Sequence, residues 1–141
     1  MSTTFKICIA GLIALFLLPL SSAYAESDIK EGYDENTEIT IRGKITEIIQ
    51  ERRGPVIVRL KSGNKTYAVV TAPSWHLESE RVTFTPGSEI EVRGSKYFGR
   101  DGALYIIARH LNDLATGRVI TLRDSSCKPM WMHRGHARHR L

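Results

Sequence analysis

The stretch that decides the fold is "EITIRGKIT", residues 38–46. Polar side chains there separate a series of apolar or small ones at every second position: Ile39, Ile41, Gly43 and Ile45. This two-residue period is typical of a β-strand with one buried face and one face in water. A glycine inside such a strand indicates a bulge or a sharp bend, which barrel strands need. The stretch therefore predicts a curved, half-buried first strand.

The same alternation recurs along the chain, between turns. Further strands are predicted at residues 56–61, 65–72, 88–95 and 103–111. Residues 62–64 and 99–102 predict hairpin turns, because glycine and asparagine tolerate positive φ angles. A last short strand is expected within residues 117–124.

Between the third and fourth strands the period becomes helical. Pro73 ends the third strand, and Ser74 is a candidate N-cap for a helix over residues 75–82. Trp75 is predicted to be a core residue, because a helix at this position plugs one end of a barrel. Trp131 is expected to pack against the barrel and to anchor the final segment.

Five strands with one helix between the third and the fourth is the element order of the OB-fold, a five-stranded Greek-key barrel. The predicted class is therefore mainly all-β: an OB-fold-like barrel with one short helix and an added C-terminal strand. Another small barrel, such as an SH3-like one, remains an alternative. The position and length of the helix favour the OB-fold.

The chain divides into four segments. Residues 1–25 have a basic start, an apolar run and an A-x-A site, which together predict a secretory signal peptide. The alternative is an uncleaved anchor, although 14 apolar residues fall short of the roughly 20 that cross a bilayer. We expect a flexible acidic lead-in over residues 26–37, an OB-fold domain over 38–131 and a basic, His-rich tail over 132–141. The predicted location is the periplasm or the exterior, with no transmembrane segment after cleavage.

Charge and cysteine content narrow the class further. The chain carries 20 basic and 15 acidic residues, with the acids concentrated near residues 26–38 and the tail purely basic. After signal cleavage only Cys127 remains, so no internal disulfide is possible. Core burial must therefore stabilise the fold.

Several motifs resemble those of a group of small exported bacterial proteins whose function is poorly characterised. The motifs are "PSWHL" (73–77), "PGSEIEVRGS" (86–95), the "DG" turn (101–102) and "LRDSSCKPMW" (122–131). The family patterns are P-x-W, P-G-D-x-I-x-V-x-G-S and L-R-D-x-x-G-x-P-x-W. More loosely, the chain is similar to bacterial exported OB-fold proteins linked to stress tolerance. Ser88 stands at the usual acid and Cys127 at the usual glycine, which favours Cys127 as a substitute for a turn residue over Cys127 as a ligand.

The candidate ligand-binding surface is a basic face on the outside of the barrel. OB-folds bind ligands on strands 2 and 3, between the loops that join strands 1–2 and 4–5. The predicted site residues are Arg42, Lys44, Arg52, Arg53, Arg59, Lys61, Tyr67 and Arg100. We expect a non-catalytic binding or accessory module that engages an anionic ligand or an envelope protein.

Two other uses of such a surface remain open. Single-stranded nucleic acid needs aromatic platforms for base stacking, for which Tyr67, Tyr97 and Phe98 are the nearby candidates. A purely structural role within an envelope complex, with the tail as an electrostatic docking strand, is the other.

The tail contains a possible metal site. Cys127, His133, His136 and His139 offer a thiolate and three imidazoles, which suit zinc or copper. Arginines alternate with the histidines and oppose a divalent cation, and the spacing matches no closed zinc-finger pattern. Metal handling is therefore the alternative function, and no cofactor is expected in the main interpretation.

The sequence gives little support to an enzymatic function. The chain has no G-x-S-x-G elbow, H-E-x-x-H helix or phosphate-binding loop. We therefore predict a protein that is not an enzyme, with no catalytic residues.

Overall fold

The computed structural model describes residues 32–132, and the predicted signal peptide and most of the tail lie outside them. The elements are a 3-10 helix (Glu35–Thr37), β1 (Glu38–Ile49), β2 (Pro55–Ser62), β3 (Lys65–Pro73), α1 (Ser74–Ser79), β4 (Glu89–Phe98), β5 (Leu104–Asp113) and β6 (Val119–Thr121). The predicted order of strands and helix is confirmed. The 3-10 helix lies in the segment that we expected to be a structureless lead-in.

The sheet closes into a five-stranded ring. Its order is β3-β2-β1-β4-β5, and a parallel pairing between β3 and β5 joins the two ends. All other pairs in the ring are antiparallel. This is the OB-fold arrangement, with α1 between β3 and β4. The added strand β6 pairs with β5 outside the ring.

Alternating side chains fill the barrel, as the sequence predicts. The residues with at most 1% exposure in its interior include Ile45, Val58, Leu60, Val69, Val92, Ile106, Ala108, Leu111 and Leu122. The arginines and lysines between them on β1 and β2 are exposed. On β1 and β2 one face thus stabilises the core and the other is exposed, whereas β3 and β5 have buried residues on both faces, such as Ile106 at 0% and Ile107 at 2% exposure.

Glycines allow the strands to cross closely at two points. A Cβ atom on Gly43 would overlap the carbonyl oxygen of Lys61, and one on Gly94 would overlap that of Ile107. The first bulge lies between Ile45 and Glu47, not at Gly43 itself. The extra residue returns Ile48 to the core side, where it is partly buried.

The helix is shorter than predicted. It covers Ser74–Ser79, its N-cap position is Pro73, and no side chain caps it, so the predicted Ser74 cap is wrong. Arg81 adopts a left-handed φ of 55°. Its N–H donates to Glu78 O at 3.0 Å, and that of Val82 donates to Leu77 O at 2.8 Å, which is a Schellman-type ending.

The prediction that Trp75 belongs to the core is also wrong. Leu77 is buried at 5% exposure, whereas Trp75 is 51% exposed. Successive helical residues turn by about 100°, so side chains two positions apart point in nearly opposite directions. Leu77 therefore plugs the barrel end and Trp75 faces away from it. Trp131 does pack against the core, as predicted.

The close crossing at Gly43 is testable. We expect Gly43→Ala to destabilise the fold by about 1–3 kcal/mol, because the new methyl group overlaps the backbone of β2. Gly32→Ala is the matched control, since a Cβ there meets nothing within 4 Å. Urea unfolding of both variants measures the difference. Equal stabilities would contradict the role assigned to Gly43.

Candidate functional site

The basic face, defined as Arg42, Lys44, Arg59 and Lys61, points away from the core. All four side chains are exposed, as predicted. Lys44 and Lys61 are direct partners in the β1–β2 ladder. Like charges directly opposite each other on neighbouring strands destabilise a sheet. An anion bound at this pair would therefore reduce the repulsion between the two ammonium groups.

Carboxylates neutralise the two arginines of this face. Arg42 Nε lies 2.5 Å from Glu91 Oε2, and Arg59 Nε lies 3.0 Å from Glu47 Oε2. Exposed pairs of this kind contribute at most about 1 kcal/mol. Glu89 on β4 also stands opposite Lys44 in the ladder. Three carboxylates, of Glu47, Glu89 and Glu91, thus stand against the four basic side chains, and one excess positive charge remains, on the Lys44–Lys61 pair.

The predicted loop residues do not converge with these lysines. Arg52 and Arg53 are exposed in the β1–β2 loop, whereas Lys61 lies at the far end of β2. At about 3.3 Å per residue, Arg53 and Lys61 are separated by up to roughly 26 Å of strand.

Arg100 is exposed in the β4–β5 turn. Its neighbour Asp101 feels the charge of Arg59. The pKa of Asp101 is lowered first by a backbone hydrogen bond from Ala103 and then by the Tyr105 hydroxyl, with Arg59 adding to the effect. The turn therefore brings the Asp101 carboxylate towards Arg59.

Tyr67 is not part of the ligand surface, which corrects the prediction. It is 8% exposed and belongs to the core, because it shares the inward face of β3 with Val69. Tyr97 stacks on Tyr105 with ring centres 5.2 Å apart and planes 13° apart. Phe98, at 69% exposure, is the one predicted platform that is fully open.

A second polar site, which the sequence did not reveal, surrounds Glu38. Its carboxylate accepts hydrogen bonds from the Tyr33 hydroxyl at 2.5 Å, from Arg109 Nη1 at 3.2 Å and from Arg93 Nε. The Glu38 side chain is 12% exposed and that of Arg109 is 17% exposed. We call these four residues the Glu38 cluster. It ties the N-terminal turn to β4 and β5.

The contacts within the Glu38 cluster shift the pKa values of Glu38 and Tyr33 in opposite directions. Burial alone would raise the pKa of Glu38, but the hydrogen bonds from Tyr33, Arg93 and Arg109 outweigh it and leave the pKa below its usual value. Burial, and then the bond to Glu38, raise the pKa of Tyr33. Glu38 is therefore an ionised acceptor and Tyr33 a neutral donor. The Glu38 carboxylate is satisfied by its three donors, which is typical of a structural network, whereas the buried Arg109 Nε has no hydrogen-bond partner in the described structure.

The loop after β6 docks on the same seam. The Arg123 guanidinium lies 5.6 Å from the centre of the Tyr33 ring and 5.8 Å from that of Trp131. Its Nη1 also donates to Cys127 O at 3.0 Å. The Cys127 thiol in turn donates to Glu35 Oε1 at 3.0 Å. The two ends of the described chain therefore hold each other in place.

Cys127 occupies a turn position, as the motif comparison indicates. Its φ is 61°, in the left-handed region that favours glycine. Its N–H donates to Asp124 O at 2.9 Å. Burial, and then the hydrogen bond to Glu35, raise the pKa of the thiol. The thiol is therefore protonated at neutral pH, whereas a metal ligand must be a thiolate.

The predicted metal site remains a hypothesis. His133, His136 and His139 lie outside the described residues. Within residues 32–132, no group of three His, Cys, Asp or Glu side chains is arranged to hold a metal ion.

The Glu38 cluster escaped sequence analysis because its members are far apart along the chain. Only Arg109 offered a signal, as a charged residue within the apolar run "LYIIARHL". The register between β4 and β5 shifts next to Gly94. This shift turns Arg109 towards Glu38, and no local sequence pattern predicts it.

The ring topology, the plugging helix and the open basic face define the class: a small OB-fold protein. The chain belongs to the MamS/MamX magnetosome protein family, whose model matches residues 37–114. The match covers β1 to β5 and ends before β6. No curated protein matches the chain. In the part of the chain that the structure describes, no helix has the length and hydropathy needed to span a bilayer.

Glu38 predicts a specific pH dependence. Its folded pKa lies below the usual 4.5, so its contribution to stability is present above that pH and is lost as pH falls through the folded pKa. Glu38→Gln should remove this part of the acid sensitivity. It should also lower stability at neutral pH by about 1–3 kcal/mol, because Arg109 loses its charged partner. Urea unfolding across pH 3–7 tests both effects, with Glu89→Gln as control. Unchanged pH slopes would refute the assignment.

The left-handed backbone at Cys127 predicts that this position tolerates replacement by glycine. Cys127→Gly relieves roughly 1 kcal/mol of left-handed strain but adds unfolded-chain entropy, so stability should stay within about 1 kcal/mol of the parent. Cys127→Val should lose about 1–3 kcal/mol, since β-branched residues resist positive φ. Thermal unfolding compares the pair. A glycine variant less stable than the valine variant would contradict the turn role.

Proposed function

We propose that this protein is an exported, non-catalytic OB-fold binding module that engages an anionic partner through its basic face. The observation that carries the proposal is the exposed Lys44–Lys61 pair, two like charges at directly opposed ladder positions. Such a pair opposes folding slightly. An anionic group placed between the two ammonium groups converts this repulsion into two attractions.

The surface overlaps in part with the usual ligand face of the fold. OB-folds bind oligomeric ligands on strands 2 and 3; Lys61 is on β2, and Lys44 lies beside it on β1. No described carboxylate forms an ion pair with either lysine, whereas Arg42 and Arg59 have partners. The lysines are therefore the first contacts, and the arginines can exchange their carboxylates for the ligand.

The proposed location is the periplasm or the exterior, which rests on the signal peptide predicted at residues 1–25. The looser resemblance to exported OB-fold stress proteins supports the same location. In this setting we favour an acidic envelope protein as the partner. The family's name refers to magnetosomes, so a component of that assembly is a candidate.

The nucleic-acid alternative has less support. Base stacking requires exposed rings, and of the three candidate platforms Tyr67 is in the core and Tyr97 is stacked on Tyr105. The metal-handling alternative depends on the three tail histidines, because the Cys127 thiol already donates to Glu35.

Charge removal at the lysine pair tests the proposal. In the exported form, residues 26–141, Lys44→Gln with Lys61→Gln should weaken binding to poly-glutamate about tenfold at low salt, since each exposed charge contributes up to about 1 kcal/mol. The stability of the same variant should stay within a few tenths of a kcal/mol of the parent, because it loses both the Lys44–Lys61 repulsion and the Lys44–Glu89 attraction. Fluorescence anisotropy measures the binding, and urea unfolding measures the stability.

The matched control is Arg52→Gln with Arg53→Gln, which makes the same charge change in the loop before β2. This control should retain most of the binding. Equal losses in both double variants would show that only net charge matters and would overturn the proposed site. Tighter binding to an oligo-dT strand than to poly-glutamate would favour the nucleic-acid alternative.

A further inference from the structure

Exposed apolar side chains gather beside α1, on a surface separate from the basic face. Trp75 is 51% exposed, Met130 36% and Met132 66%. Trp75 belongs to α1, and the methionines flank Trp131 in a short 3-10 turn at residues 130–132. We call these three residues the tryptophan–methionine patch.

Ring contacts hold the two parts of the patch together. The His76 ring lies 5.8 Å from the Trp75 ring and 5.6 Å from the Trp131 ring. His76 is buried at 3% exposure, and Trp131 packs against the core. The residues beneath the patch, His76 and Trp131, are therefore held by the core, and the fold itself keeps the patch exposed.

The chain around the patch is basic. Lys128 is exposed just before it, and no acidic residue occurs after Asp124. Arg134, Arg138 and Arg140 follow Met132 within eight positions. Glu78 and Glu80, in and just after α1, are acidic, and the four basic residues outnumber them. In the sequence, apolar and basic residues thus occur together at the C-terminal end of the chain.

We propose that the tryptophan–methionine patch docks on a bilayer surface that contains anionic lipids. Tryptophan is favoured at the boundary between headgroups and hydrocarbon, where its ring is buried and its N–H remains hydrated. Methionine adapts to irregular apolar surroundings. Apolar insertion and basic residues supply the two signals that stable attachment to a membrane surface requires.

The size of the patch favours a lipid surface over a protein partner. One tryptophan and two methionines offer roughly 400 Å² of apolar area. A stable protein interface buries about 800 Å² on each side. A bilayer needs no complementary shape, so a small insertion combined with charge is sufficient.

The inference goes beyond the proposed function, because it uses α1 and the C-terminal segment and no residue of β1 or β2. The two can fail independently. Lipid docking would hold the protein at a membrane, while the basic face remains free for a soluble partner.

Vesicle binding tests the inference. The exported form, residues 26–141, should co-sediment with vesicles of equimolar phosphatidylcholine and phosphatidylglycerol but not with pure phosphatidylcholine. Its tryptophan emission should shift to shorter wavelength on binding. Trp75→Ala should weaken binding at least about fivefold, because the Trp75 ring contributes the largest apolar area of the patch. Met132→Gln should weaken it less.

Phe98→Ala is the matched control, because Phe98 is the other strongly exposed aromatic side chain, on β4. It should leave vesicle binding unchanged. Binding that is lost equally in Trp75→Ala and Phe98→Ala, or that survives Trp75→Ala, would overturn the inference. So would a dimer in analytical ultracentrifugation that Trp75→Ala dissociates, since the patch would then be an interface between copies. Loss of vesicle binding only in the Lys44/Lys61 variant would also overturn it and would assign lipid to the basic face.

Discussion

Closure of the ring through the parallel pairing of β3 with β5 is the constraint on which the rest of the structure depends. Four antiparallel pairings alone would leave two open sheet edges. Closure requires strongly coiled strands, and Gly43 and Gly94 allow this because a Cβ at either position would overlap the backbone of the neighbouring strand. Once the ring is closed, one face of each strand is inside the barrel; the outer face is exposed on much of β1 and β2 and partly buried on β3 and β5.

The Glu38 cluster extends this order beyond the barrel. A single carboxylate accepts from Tyr33, Arg93 and Arg109, and so joins the N-terminal turn to β4 and β5. Arg123 then lies between the rings of Tyr33 and Trp131. Through these contacts the carboxylate at the first residue of β1 is linked to the C-terminal segment that carries Met130 and Met132.

The two proposed surfaces have different physical character. The lysine pair on β1 and β2 offers charge without apolar area, which suits a reversible, salt-sensitive contact. The tryptophan–methionine patch offers apolar area on a fixed base, with charge supplied by the chain that follows. A small OB-fold can carry both because the side chains that form the two surfaces are exposed and are not part of the buried core.

The sequence by itself determined the five strands, the position of the helix and the inward face of β1 and β2, because these follow from local periodicity and turn residues. It also indicated that Cys127 stands at a turn. The tertiary structure decided the rest. Tyr67 faces inward and Trp75 outward because of the phase of β3 and of a six-residue helix, which composition does not set. Arg53 and Lys61 are separated because they stand at opposite ends of one strand. The Glu38 cluster joins residues up to 71 positions apart, and such contacts exist only after the ring has closed.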